Sequence, residues 1–519
     1  MNNLTKNGVS RRSFLAAAGA FGAATMTIPR TALSSDGKIL TVRSYSDLQV
    51  LDPAFRLSIP EEDIQRAIFA GLIVPQAGDT WGWKHQAVDS IQQVDDLTIA
   101  FQLRENITYT DGYGQMTAED VKFSFERIAD PAVESPYAGD WSALKEVEVT
   151  GKLTGIIHLK NQYVPLWSTT LPNTSGIVLS QKAVEDAGGK FTTEPVAMSG
   201  PYLLDDWVPK QKTVLKRNPD WKYEQGGFDE IHIIPIEDPA TAERGFEAGD
   251  LDYTWTSVSS LPRLKENPPA NSVVLEKPSL AYVWLGINQD NEVLKDIRIR
   301  RAIQHAIDRQ TVVDGAYFGA AGVGNGIIAP GLPGSRDSVT YDYDPDKARE
   351  LLAEAGATNL NVSLDILNQS ERLTAAQVIQ ANLADVGVNC EIKQNDSGTF
   401  WTLGSKDGDY FMDLQLVLSR FSMQPDPSWA SVWFTPEQVG VWNWERFDSA
   451  EYKALHEQGL QEPDNDKRDD IYKKMQSLMD ESGCYVFLTH EVVGAIHDDS
   501  IEPGLKPNGE SLFADFKPA

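Results

Sequence analysis

VDDLTIAFQLRENITYTDGYGQMTAEDVKFSFERIAD, residues 94–130, holds three structural elements in a fixed order. Asp95-Asp96 predicts an acidic turn. Leu97, Ile99, Phe101 and Leu103 then alternate with polar neighbours, the period of a half-buried strand. Tyr109-Thr110-Asp111-Gly112 is turn chemistry. Thr117 follows as an N-cap, with Glu119 and Asp120 in the first turn, where carboxylates meet the positive end of a helix. Val121, Phe123, Ser124, Phe125 and Ile128 carry the amphipathic helix onward. Strand, turn and capped helix are structural devices, and none of these residues performs chemistry.

Outward from this stretch, strand and helix patterns alternate over the rest of the chain, which predicts an α/β protein. Toward the N-terminus, Lys38–Arg43 reads as a strand, Asp47–Pro53 as a loop and Ile64–Ile73 as a short helix ending in Ala70-Gly71-Leu72. Toward the C-terminus, Gly200-Pro201 turns into a strand at Tyr202, and Asn218-Pro219 is another turn. Phe228–Pro235 is a strand, and a helix with Thr241, Ala242 and Phe246 exits through Gly249-Asp250-Leu251-Asp252. Asp296 caps a helix whose Ile299, Ile303, Ala306 and Ile307 share one face. Asp344, Pro345 and Gly356 are the cap, first position and stop of the next helix. Val362, Leu364 and Ile366 alternate as a strand, Leu373–Val386 is a helix ended by Gly387, and Val388–Ile392 is a strand. This β-α-β order predicts parallel pairing with right-handed crossovers. Leu414–Leu418 reads as a buried strand and Ser419–Met423 as the loop at its C-terminal end.

These landmarks, taken in order, resemble the extracytoplasmic solute-binding proteins of family 5, the peptide, nickel and opine receptors of ABC importers. The resemblance rests on the 94–130 stretch, on Ser199-Gly200-Pro201-Tyr202 with Leu215–Trp221, on Arg300-Arg301-Ala302-Ile303 with Ala306-Ile307-Asp308-Arg309, and on Pro425-Asp426-Pro427. It covers nearly the whole chain after the leader. It implies an α/β, periplasmic binding protein-like fold (type II, large cluster C-like), with two hinged lobes built on parallel-type sheets and an extra subdomain on lobe one. Lobe one is expected from 35–75, 197–282 and 489–519, the subdomain from 76–196 and lobe two from 283–488. The implied function is capture of a peptide-like or other organic solute by lobe closure, and its delivery to an inner-membrane ABC permease complex by a monomeric receptor. A nickel- or chelate-binding receptor of the same fold is the alternative within the class. From a different class, an exported hydrolase or redox enzyme also fits the export route.

Location is read from residues 1–34. Ser10-Arg11-Arg12-Ser13-Phe14-Leu15 matches the twin-arginine export pattern, and the run Ala16–Ile28 is weakly apolar and too short for a comfortable membrane span. Small residues at Ala32-Leu33-Ser34 predict cleavage before Ser35. No cysteine stands there to carry a lipid, so a soluble periplasmic protein is expected. The 519-residue chain has a net charge of −29, which repels nucleic acid and anionic lipid. Its two cysteines, Cys390 and Cys484, are no disulfide framework and read as separate buried thiols.

No cofactor, metal or catalytic site is expected. The seven histidines are scattered, and the closest pair, His490 and His497, lacks a helix-face or strand-face repeat. There is no G-x-S-x-G, no Walker A loop and no dinucleotide fingerprint. The stretch 397–445 is dense in aromatic and polar side chains, the material of a ligand cleft. Strand C-termini face ligands in α/β sheets. The expected ligand-binding residues are therefore Trp401, Ser419, Arg420, Phe421, Ser422, Met423, Asp426, Trp433 and Trp442. Peptide receptors of the resembled family carry an aspartate for the ligand's ammonium just ahead of the Asp-Pro segment. Aligned on Asp426-Pro427, that slot holds Met423. Two readings stay open: a shifted alignment in which Asp426 serves the ammonium, or an anionic ligand met by the planar fork of Arg420.

Overall fold

The computed structural model describes residues 38–224, 226–357 and 359–519; the twin-arginine motif and the expected cleavage site lie outside them. One ten-stranded sheet organises most of this chain. Its order is Tyr202–Val208, Lys212–Arg217, Glu230–Pro235, Ile39–Ser44, Tyr253–Thr256, Tyr485–Asp498, Ser272–Ile287, Leu416–Ser422, Asn361–Leu367 and Asn389–Asn395. Pairing is parallel around Ile39–Ser44 and, as the β-α-β order predicts, between Asn361–Leu367 and its two neighbours. The other ladders are antiparallel, so the sheet is mixed.

Two long antiparallel strands, Ser272–Ile287 and Tyr485–Asp498, run through the middle and serve different cores at their two ends. Ser272–Lys277 is half-solvated, whereas every residue from Leu280 to Ile287 is buried. The ladder breaks register between Pro278 and Tyr282. Pro278 has no N–H to donate, and the Ala281 N–H turns instead to Ser279 Oγ at 2.9 Å. On one side of the break lies a core with Leu40, Val42, Ile231, Tyr253 and Phe516. Beyond it, Leu285, Ile303, Leu364 and Leu418 pack one face of the sheet, and Trp284, Phe434 and Tyr485 pack the other.

The 94–130 stretch builds a separate four-stranded antiparallel sheet, ordered Val88–Asp95, Thr98–Leu103, Thr154–Leu159 and Leu144–Val149. Ile99, Phe101 and Leu103 enter its core with Val121, Phe125 and Ile128 from the helix Ala118–Ala129, while Leu97 is exposed just outside the strand. Thr117 closes a capping box with Asp120. Arg127 reaches out of this helix to grip Asp52 through both guanidinium ends, at 2.9 and 2.6 Å, in a buried pair that ties the Leu51-Asp52-Pro53 loop to the subdomain core. Two remote motifs are thus one bidentate contact.

Two elements differ from expectation. The helix expected over Ile64–Ile73 spans Ile59–Ile68. Ser58 caps it, Pro60 sits in its first turn, and Glu61 gathers the N–H groups of Gln49, Val50, Leu57 and Ser58. It stops because the N–H groups of Ser199 and Gly200 take the Ile68 carbonyl. The loop expected at Ser419–Met423 is instead strand through Ser422, because Ser419–Ser422 pair with Ala281–Trp284. Cys390 and Cys484 are separate free thiols, half-buried and buried, and burial pushes them up to about 12 and about 11.

Candidate ligand cleft

A cleft of about 970 Å³ opens chiefly between Asp79–Trp83, Val164–Asn173, Glu276–Leu280, Ala329–Pro333 and Gln424–Pro427, with Arg66, Arg468 and Lys506 added from other elements. Its aromatic wall is assembled from two segments distant in sequence. Trp83 stacks on Trp167 with centroids 5.5 Å apart, and the Trp167 indole N–H donates to Gln93 at 3.0 Å. Trp81 packs against the core of Trp284 and Phe434. Proline supplies much of the rest (Pro75, Pro172, Pro278, Pro330, Pro333, Pro425), giving rigid walls with few donors. Such an apolar, aromatic space with a few placed polar groups is how small-solute sites are built. The polar groups include Arg66, Asn173, Lys506, Ser168, Glu276, the Lys277–Asp79 ion pair, and Asp426 with Arg468.

Asp426 is the one expected ligand residue that lines this cleft. It is almost fully buried and its bonds are taken. One carboxylate oxygen accepts from Arg468 at 2.9 Å, from the Ser428 N–H at 3.0 Å and from the Ser428 hydroxyl at 2.6 Å. The other accepts from Ser168, across the cleft, at 3.0 Å. It also caps the helix Pro427–Ser431. Asp426 is therefore a knot that joins Ser168, the Pro427 helix and the helix Asn465–Ser482, which carries Arg468.

The other expected residues lie outside the lining. Met423 is buried behind it: its N–H donates to Leu280 and its sulfur accepts from the Ala329 N–H at 3.5 Å, so it braces two wall residues. Arg420 is on the opposite face of its strand from Phe421. Its Nε donates to Glu491 at 2.8 Å, and Arg372 holds the other Glu491 oxygen at 2.8 Å. Burial pushes Glu491 up, but the two guanidiniums outweigh it and hold the carboxyl below its ordinary range. Phe421 meets Trp284 edge-on at 5.0 Å and touches Trp433 and Trp442. Trp401 leans on Phe400, Trp442 and Trp444. Ser419 is buried and Ser422 exposed. The aromatic density at 397–445 is thus largely a packed cluster. The residues that sequence reasoning passed over are Trp81, Trp83 and Trp167; the Trp81-Gly82-Trp83 pair, aromatic side chains around a glycine, was the available signal.

Among the described residues, no three His, Cys, Asp or Glu side chains stand close enough to hold a metal ion, and no helix is long and apolar enough to cross a membrane.

The sequence profile of the bacterial extracellular solute-binding proteins, family 5 (Middle), matches residues 82–439. The chain belongs to that family. Among curated relatives, a Brucella ovis protein named for ABC transporter peptide binding is 26% identical over 357 residues, covering 66% of this chain and 66% of that protein. The chain thus matches just under two thirds of that relative's length. The periplasmic oligopeptide-binding protein OppA of Salmonella typhimurium is 26% identical over 435 residues, covering 77% of this chain and 78% of OppA. Among solved structures, the ABC transporter substrate-binding protein CtaP of Listeria monocytogenes superposes with a TM-score of 0.80 at 21% identity, over 93% of this chain and 99% of CtaP. The expected periplasmic-binding-protein fold is therefore the fold of this family 5 member.

Proposed function

We propose that this family 5 protein is the substrate-binding receptor of an ABC importer, taking a peptide-like or other organic solute into the Trp81–Trp83–Trp167 cleft and handing it to a membrane permease. The observation that carries this reading is the cleft itself: a large aromatic cavity walled by Asp79–Trp83 and Val164–Asn173 together with Ala329–Pro333 and Gln424–Pro427, with a hydrogen bond from Ser168 to Asp426 spanning it. The lobes are assigned to 35–75, 197–282 and 489–519 (lobe one), 76–196 (its subdomain) and 283–488 (lobe two). The chain crosses between these lobes in the two long strands, close to the register break near Pro278; opening also parts the Ser168–Asp426 bond, and closure is favoured when solute bridges both walls. No bond is made or broken. The family consists of receptors, and the carboxylate that accepts from the Ser168 hydroxyl, Asp426, is already held by Arg468 and Ser428. A chelate-type ligand has no specific observation in its favour.

Two results are expected. A tight ligand at about a hundredfold excess over its Kd should stabilise the protein by about 2.7 kcal/mol and reduce the radius of gyration in X-ray scattering. A rise in melting temperature with no compaction would rule out lobe closure. The receptor should reach the periplasm unlipidated by the twin-arginine route, so changing Arg11 and Arg12 together to Lys should trap the precursor in the cytoplasm. Normal periplasmic yield of that double variant would refute the route.

A further inference from the structure

One corner of the cleft carries more positive charge than its protein partners neutralise. Arg66, from the helix Ile59–Ile68, and Lys506, from the C-terminal segment, both line the cleft. Glu62 is in ion-pair contact with Arg56, with Arg66 and, at 3.5 Å, with Lys506; Glu510 contacts Lys506 alone. Three cations thus share two carboxylates. The side chains of Arg56, Arg66, Lys506 and Glu62 are only 6–10% exposed, so water does little to screen the excess. Arg66 Nε is buried and donates to nothing among the described residues. Arg66 is held in place by a 3.0 Å bond from its terminal nitrogen to Asn173 Oδ1. That oxygen also takes the Thr174 N–H, so the group Asn173 has left to offer is its amide nitrogen, a donor.

The nearest further acid does not repair the imbalance. Asp63 has no cation within ion-pair distance and one carboxyl oxygen without a partner. Burial pushes its carboxyl well above the ordinary range, against the pull of Arg66 and Lys506, so it offers the corner less negative charge than a solvated carboxylate would. The carboxylates that line the same cleft are committed: Asp426 to Arg468, Ser428 and Ser168, Asp79 to Lys277 and Glu276 to Lys265. A buried, undersatisfied cation calls for an anion.

We propose that Arg66, Lys506 and Asn173 form an anion subsite, so that the solute carries a carboxylate or phosphate at this corner and needs no free ammonium at Asp426. This rests on the receptor reading. The aromatic wall of Trp83 and Trp167 would cover the less polar body of the same molecule.

The test is a thermal-shift and calorimetry panel on the whole mature protein: trialanine, its C-terminal amide and N-acetyl-trialanine, with gluconate and glucose 6-phosphate beside glucose. Native mass spectrometry of the freshly purified protein identifies any co-purified solute. The proposal expects trialanine and N-acetyl-trialanine to behave alike and the amide to bind about tenfold or more weakly. Gluconate against glucose 6-phosphate separates carboxylate from phosphate. Arg66→Gln and Lys506→Gln should each erase most of the preference for acid over amide or neutral sugar. Lys506→Gln carries the test if Arg66→Gln fails to fold, since Arg66 also braces Asn173. Equal binding of acid and amide, loss of binding on N-acetylation alone, a neutral or cationic co-purified solute, or an acid preference unchanged in both variants would overturn the anion subsite and leave the receptor standing. No stabilisation by any compound and no co-purified solute would overturn the receptor reading and this inference with it.

Discussion

Replacing Arg468 with methionine is expected to destabilise the protein by about 3–5 kcal/mol, the scale for removing one partner of a buried ion pair. The pair is among the most enclosed in the molecule, with Arg468 and Asp426 side chains 3% and 2% exposed. Methionine keeps most of the volume, so little of the loss is cavity formation. What remains is Asp426, still buried, still capping the Pro427 helix, and with Ser428 and Ser168 as its donors among the described residues. The Gly459 carbonyl also loses the 2.7 Å bond from Arg468 Nε, which ties the helix Ala450–Gln461 to the helix Asn465–Ser482. Adding Asp426→Asn to Arg468→Met should recover a good part of the loss, because the uncompensated charge is then gone. Urea unfolding of the wild type, the single and the double variants measures this. A single variant within about 1 kcal/mol of wild type, the surface-pair scale, would mean that water reaches the pair and that Asp426 is available to a ligand after all.

That outcome bears on how the site was read from sequence. The elements were legible because each carries its own punctuation. Thr117 with Asp120, Asp296, and Asp344 with Pro345 cap helices where their types predict, and Ile99, Phe101 and Leu103 show the two-residue period of their strand. The family was legible because these signals recur in one order. The candidate cleft was not, and for a non-local reason. The cleft is made of segments that meet only through the tertiary fold, from Arg66 to Lys506, and no single stretch of sequence has its composition. The aromatic density at 397–445 was visible, but its partners Tyr282 and Trp284 come from a distant strand and turn most of it into core. The same pairing carries Ser419–Ser422 into the sheet, so Arg420 and Phe421 point to opposite faces. Met423 stands in the slot where the resembled peptide receptors carry a carboxylate. That its sulfur would brace Ala329 depends on a contact no local pattern encodes.

Beneath that aromatic cluster lies the second large effect. Exchanging Glu445 for glutamine is expected to stabilise the protein by about 3 kcal/mol near pH 8 and to leave it unchanged near pH 4. The Glu445 carboxyl is buried against Gly286. One of its oxygens accepts the Trp284 indole N–H at 2.7 Å and the other has no partner. Burial pushes the group up to about 7, only partly opposed by the Trp284 bond. In the unfolded chain it ionises near its ordinary value of about 4.3. Below that value both states are protonated, and the wild type and the glutamine variant should match. Between about 4.3 and the folded value, the unfolded chain has lost its proton while the folded chain keeps it, so wild-type stability falls by about 1.4 kcal/mol per pH unit. Above the folded value both states are ionised and the deficit is constant. Glutamine has nearly the same shape, keeps an oxygen for Trp284 and never acquires the charge, so it escapes the deficit. Its remaining amide N–H₂ has the unpaired hydroxyls of Tyr282 and Tyr485 among the buried polar atoms of the same core. Urea midpoints for both proteins across this pH range read the difference directly. A gap that does not change with pH, or a glutamine variant less stable than wild type near pH 8, would show that Glu445 is ionised at no cost and that solvent penetrates beneath Trp284.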